Sequence, residues 1–377
     1  MTTTTKTLTV GDNGRLPIVV IPNHYDLSYR RVSLEPPYHF EGQVVIDVVA
    51  PSVTVSEKDA SLLASSLVLH ARDLQLLHAT LSTTTMPTND HHQESTTTKP
   101  TTKKTCWNAT EFRYQFHHHT CQIMFDHDAS STSSSIWTPN THYKLTIDFV
   151  GFLNDQMAGF YRSSYTDLAG HKVVMATTQF EPTDARRAFP CFDEPALKAT
   201  FQLRVTVPAH LSVVSNTPMV SSHTTSSVST TSTNNNNNKT VTFATTPKMS
   251  TYLVACVIGL FDHIAMTSTT TQIQTTVYTV PGKASQGQFC LDTASRCLDF
   301  LQEIYGVPYP LRKSDLLAIP DFAAGAMENW GCVTYREAKV CCRIIVWFYD
   351  PMMHEALGCV FSKVVDIGFF GWVEVDG

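Results

Sequence analysis

Apolar and polar residues alternate with a period of two in several short runs along the first two-thirds of the chain. Tyr25-Asp-Leu-Ser-Tyr, Gly42-Gln-Val-Val-Ile-Asp-Val-Val, Ser66-Leu-Val-Leu-His-Ala, Tyr143-Lys-Leu-Thr-Ile-Asp-Phe and Phe201-Gln-Leu-Arg-Val-Thr-Val all follow it, with turn residues between them. This pattern predicts half-buried antiparallel strands, each placing alternate side chains on a common core. The run Thr251-Tyr-Leu-Val-Ala-Cys-Val-Ile-Gly is apolar throughout and predicts one further, fully buried strand. Residues 16–262 therefore read as a mainly β domain, preceded by a disordered start over 1–15. Two stretches break the pattern. About 80–105 is Thr-rich, and 221–240 is rich in Ser and Thr and carries five consecutive asparagines, Asn234 to Asn238. Neither can bury enough apolar area to offset the entropy of ordering it, so both read as surface-loop insertions.

The period changes after residue 263. From Ser285 to Gly306, Phe289, Cys297, Leu301 and Ile304 recur at helical steps, and Gly306 is a suitable stop. Ser314-Asp-Leu-Leu-Ala-Ile-Pro then reads as a strand leading into a loop of small residues. Residues 263–377 thus read as a second, α+β domain.

Composition narrows the function. The 377 residues are 42% apolar but only 16% charged, with a net charge of −6. With no basic stripe, this argues against nucleic acid as a partner. No stretch reaches the roughly 18 apolar residues of a membrane span, and the chain opens without the apolar core of a secretory signal. Cytoplasmic residence is the expectation, with the ten cysteines mostly reduced. Cys332, Cys341, Cys342 and Cys359 lack the paired spacing of a zinc ribbon. His117, His118 and His119, with His127, read as a solvated cluster rather than a metal site.

The chemistry concentrates in Ile319-Pro-Asp-Phe-Ala-Ala-Gly-Ala-Met-Glu-Asn-Trp-Gly-Cys-Val-Thr-Tyr-Arg-Glu. Its small residues let backbone approach a ligand closely and pair with an extended peptide. Glu328 follows at once, where its carboxylate can hold an ammonium group. Gly325-Ala-Met-Glu-Asn within this segment resembles the motif of the zinc aminopeptidases that include aminopeptidase N and puromycin-sensitive aminopeptidase. Met175-Ala-Thr-Thr-Gln-Phe-Glu-Pro, followed by Phe189-Pro-Cys-Phe-Asp-Glu-Pro, resembles a second segment of the same family. The softer matches begin near residue 15, and the resemblance runs to about Lys339, the two insertions excepted.

The resemblance implies a saddle-like β-sandwich followed by the start of a thermolysin-like catalytic domain. It implies that Gly325, Ala326, Met327, Glu328 and Asn329 line a peptide-binding site. It also implies that Gln179 and Glu181 join Glu328 around the α-amine of a peptide with a free N-terminus. Such a charge-assisted grip would favour a chain end over an internal amide.

The family's hydrolysis uses zinc held by His-Glu-x-x-His, with the Glu activating water. The nearest string here is His354-Glu-Ala-Leu-Gly358: His354 and Glu355 fit, but Gly358 stands where the second histidine belongs, and no histidine follows. The tail after Lys339 departs from the family abruptly, which suggests a truncated or mis-assembled reading frame. The reading is therefore a metallo-aminopeptidase by descent whose own chain does not bind zinc. The alternatives are a catalytically inactive peptide-binding module and a non-functional fragment.

Overall fold

The computed structural model describes residues 15–17, 19–51, 64–84, 105–126, 135–225 and 237–341. Nineteen strands are described among them: β1 Ile21–Val32, β2 His39–Val49, β3 Ser66–His70, β4 Leu74–Thr83, β5 Cys106–Gln115, β6 Thr120–Phe125, β7 His142–Phe152, β8 Gly159–Thr166, β9 Lys172–Gln179 and β10 Thr200–Pro208. They continue as β11 Ser212–Ser215, β12 Met219–Thr225, β13 Asn238–Phe243, β14 Cys256–Gly259, β15 Asp262–Thr267, β16 Gln274–Thr279, β17 Lys313–Ile319, β18 Ala326–Met327 and β19 Cys332–Arg336. Two helices are described, α1 Gln288–Tyr305 and α2 Glu337–Cys341. The described chain is thus mainly β, as the alternation predicts, with a start of α+β structure after it.

The strands form a ten-stranded sheet in the order β12-β13-β10-β1-β2-β7-β4-β5-β6-β3, a four-stranded sheet β11-β14-β9-β8 and a five-stranded sheet β15-β16-β17-β19-β18. The chain divides into two compact units. One comprises residues 1–162, 176–215 and 219–258; the other comprises 163–175, 216–218 and 259–377.

In the first unit, alternation becomes a core. Tyr25, Leu27 and Tyr29 of β1, Phe40, Val44, Ile46 and Val48 of β2, and Tyr143, Leu145, Ile147 and Phe149 of β7 are all buried. Each such side chain contributes about 1.5–3 kcal/mol relative to exposure. Two glycines make room for the largest rings. Gly42 is paired with Phe149 and Gly151 with Phe40, and a Cβ on either would stand within 2.5 Å of the facing ring. Tyr29 bridges to Phe160 of β8 at 5.1 Å between ring centres, and Phe40 to the same ring at 5.2 Å.

Some details depart from the sequence pattern. Not every pairing is antiparallel: β1 and β10 run parallel, with Tyr25 opposite Phe201. The run from Thr251 to Gly259 is not one strand. Thr251–Leu253 is a 3₁₀ turn, and β14 starts only at Cys256. The ends of both low-complexity stretches are strand: Thr80–Thr83 belong to β4, Ser221–Thr225 to β12 and Asn238–Thr240 to β13. Paired backbone holds these polar residues in strands despite their composition. Residues 85–104 and 226–236 lie outside the described residues, as do residues 1–14.

In the second unit, β16, β17 and β19 run parallel while β15 and β18 flank them antiparallel. The predicted helix is present as α1 and stops at Gly306, whose N–H donates to the Gln302 carbonyl at 3.0 Å. Its buried face differs from expectation. Cys290, Leu291 and Ala294 pack with Val277, Leu316, Ala318 and Tyr335, whereas Phe289 and Ile304 are 47% and 50% exposed.

Candidate functional site

The two segments singled out by sequence fall in different units. Gln179 ends β9, in the first unit. The preceding Thr178 is pinned by its hydroxyl, which accepts from the Cys256 N–H at 3.0 Å. Gln179 is 9% exposed, and its Oε1 has no hydrogen-bond partner among the described residues. Glu181, two residues on, is half-buried.

A buried polar network holds the chain that follows. Arg186 Nε donates to Asp193 Oδ2 at 2.8 Å, and its Nη2 donates to the Asp193 carbonyl at 3.0 Å. Thr251 Oγ1 donates to Asp193 Oδ1 at 2.7 Å. The Asp193 N–H donates to Nδ1 of His70 at 3.1 Å. Asp193 and His70 are 2% and 1% exposed. Burial, reinforced by the Arg186 charge and by His119, pushes the His70 pKa down to about 3, so the ring is a neutral acceptor here. The polar ends that burial would penalise are thereby paired.

The second segment begins as β17 ends. Asp321 Oδ2 accepts from the Ser164 N–H at 3.0 Å and from the Ser163 hydroxyl at 3.1 Å. Arg336 closes the other side, with Nε on the Phe322 carbonyl at 3.0 Å, Nη2 on the Ala323 carbonyl at 2.5 Å and its backbone N–H on the Gly325 carbonyl at 3.1 Å. Ala326 and Met327 then form β18, paired with Tyr335 and Thr334 of β19. β18 is the last strand of its sheet. Gly325 and Ala326 are half-buried, while Met327, Glu328 and Asn329 are buried, Glu328 with 7% exposure. Asn329 Nδ2 donates to Thr334 Oγ1 at 3.3 Å.

The turn after the segment is built on Gly331. Its φ is +69°, and a Cβ there would stand 2.2 Å from the Asn216 carbonyl oxygen, so only glycine fits. Lys313 Nζ ties this turn down by donating to the Gly331 carbonyl at 2.7 Å and to Asp315 Oδ2 at 2.6 Å. The Asn216 amide donates to the Trp330 carbonyl at 2.9 Å. Arg336, Asp321, Lys313, Asn216 and Ser163 were not assigned roles from sequence. Ser163 and Asn216 sit 158 and 114 residues from their partners in the loop, and no local pattern marks either.

Elsewhere, His117 and His118 are exposed in a turn between β5 and β6. Cys332 is fully buried, and burial pushes its thiol up to about 12. Among the described residues no group of three or more His, Cys, Asp or Glu side chains is placed to hold a metal ion. His127, His354 and Glu355 lie outside the described residues, as do Cys342 and Cys359. Zinc is the family's metal by resemblance, and Gly358, which has no side chain, stands four residues after His354. No helix among the described residues is long and apolar enough to cross a membrane.

Residues 21–253 match the Peptidase M1 N-terminal domain and residues 289–344 the Peptidase family M1 domain, and the chain belongs to this family. It is 50% identical to puromycin-sensitive aminopeptidase of Caenorhabditis elegans over 52% of this chain and 20% of the relative. It is 51% identical to aminopeptidase M1 of Arabidopsis thaliana over 52% of this chain and 21% of the relative. Against endoplasmic reticulum aminopeptidase 2 of Homo sapiens the identity is 34% over 91% of this chain and 30% of the relative. The chain thus spans between a fifth and a third of the length of these relatives.

Proposed function

We propose that this chain holds the free N-terminus of an extended peptide and does not hydrolyse it. The observation that carries the reading is β18. It is a short edge strand, Ala326–Met327, followed at once by the buried carboxylate of Glu328. An edge strand can receive an extended backbone. A carboxylate at 7% exposure gains most from a cation that it can neutralise. The family resemblance assigns Gln179 and Glu181 to the same ammonium group. Descent from a metallo-aminopeptidase accounts for the grip. Hydrolysis would require metal ligands that His354, Glu355 and Gly358 do not complete.

Isothermal titration of the full chain with a tetrapeptide and with its N-acetylated twin tests the reading. The free-amine peptide should bind, and Glu328→Gln should weaken it about tenfold, the order expected for one charge-assisted hydrogen bond. Equal affinity for the two peptides would overturn the proposal. Near-stoichiometric zinc together with release of an amino-acyl dye would overturn the non-hydrolytic part alone.

A further inference from the structure

We propose that Arg336 is a positioning residue that fixes the peptide-receiving backbone of residues 322–327 before any peptide arrives. The inference rests on the peptide-binding reading above and adds to it the side chain that sets the loop's shape.

The residues ahead of β18 need fixing. From Pro320 to Gly325 the chain has no strand partner, and Ala323, Ala324 and Gly325 bring no large side chains to pack. Such backbone would sample many conformations, and ordering it on binding would subtract from affinity. Arg336 removes that freedom from one point. Two arms of its guanidinium take the consecutive carbonyls of Phe322 and Ala323, and its own N–H takes the Gly325 carbonyl. A planar fork suits two neighbouring acceptors in a way that the single ammonium of lysine does not. With these carbonyls turned toward Arg336, the direction in which Ala326 and Met327 present their unpaired edge is set. Asp321, held by Ser163 and Ser164, fixes the other end of the same stretch. Arg336 is exposed and closes β19, so its removal leaves the buried face of the sheet untouched.

The test uses the full chain, a free-amine tetrapeptide with its acetylated twin, and amide hydrogen exchange over residues 322–327. Arg336→Ala should weaken the free-amine peptide about tenfold, as loss of two charge-assisted hydrogen bonds would. It should speed exchange in the loop and leave the thermal midpoint close to that of the parent. Arg336→Lys should fall between. Guanidinium ion at sub-denaturing concentration should restore affinity to Arg336→Ala and do nothing for the parent, a rescue that a purely structural role would not show. Unchanged affinity and exchange in Arg336→Ala would overturn the inference. Should that variant fail to fold, Arg336→Lys decides, and parent-like affinity and exchange would count against the inference. If the parent itself does not distinguish free from acetylated peptide, the peptide-binding reading falls. Exchange in the variant then still tells whether Arg336 holds the loop, and unchanged exchange overturns that too.

Discussion

The two compact units close their interiors differently. The first buries most of its large apolar side chains in one core, although Phe116 and Phe152 are 81% and 61% exposed. Tyr29, Phe40, Phe149 and Phe160 meet in one aromatic cluster, and even its charged residues Arg186 and Asp193 are buried as a matched pair. In the second, α1 buries one face against the sheet and leaves Phe289, Phe300 and Ile304 between 47% and 53% exposed. Apolar content alone does not separate the two, since both carry aliphatic and aromatic residues at regular periods. What separates them, among the described residues, is whether a second layer receives the apolar face. The stability of the first unit should depend on a few buried contacts, whereas one whole helix face of the second should be nearly indifferent to substitution.

The largest effect should come from the buried polar network of the first unit. Asp193→Ala removes the carboxylate partner of Arg186 and the hydroxyl contact of Thr251, while the backbone N–H that donates to His70 stays. Leaving a buried guanidinium without its carboxylate costs about 3–5 kcal/mol. Urea unfolding of parent and variant measures it. A loss below about 1 kcal/mol, the range of exposed ion pairs, would mean that the network is solvated and that the first unit is not closed as described.

His70 gives a pH signature to the same interior. Its folded pKa lies near 3, below the ordinary 6.5, because burial and the neighbouring Arg186 disfavour the charged ring. The folded protein therefore keeps it neutral, while the unfolded chain takes up a proton as pH falls through 6.5. Stability should be unaffected by this group above that value. Between pH 6.5 and about 3 it should fall, by about 1.4 kcal/mol per unit. Urea midpoints at pH 7 and pH 5 should diverge in the parent more than in His70→Gln, whose side chain does not titrate. Equal shifts in the two proteins would show that His70 protonates in the folded state.

The legible and illegible parts of the molecule divide along the same physical line. Strands β1, β2, β7 and β10 could be read from alternation because each buries one face on a neighbouring layer, so period and burial coincide. The run from Thr251 defeated that reading. The Thr251 hydroxyl bonds Asp193 nearly sixty residues away, and that tertiary bond accompanies a 3₁₀ turn where composition suggested a strand. Residues of the candidate site were legible where they sit in a contiguous motif, as Gly325 to Asn329 do. The side chains that hold that motif were not, because Arg336, Asp321 and Asn216 act on backbone carbonyls or amides, and such contacts leave no trace in spacing.

Helix α1 was misread for a related reason, and it supplies the smallest and most discriminating effect. Large apolar residues suggested a core face through Phe289 and Ile304, yet the residues that meet the sheet are the smaller Cys290, Leu291 and Ala294. Phe300 lies on the open face with 53% of its surface exposed. A side chain so exposed gains little on folding, so Phe300→Ser should change stability by no more than about 0.5 kcal/mol. Leu291, at 2% exposure, should behave oppositely, with Leu291→Ala costing about 2–5 kcal/mol through lost transfer energy and the cavity left behind. The open face has a second consequence that stability does not report. Phe300 and Ile304 stand one turn apart on the exposed side of α1, an apolar surface of the kind that drives association. Phe300→Ser should therefore lower self-association in sedimentation while leaving the unfolding midpoint in place. A large loss of stability in Phe300→Ser would show that this face is packed, and the contrast between the two units would then collapse.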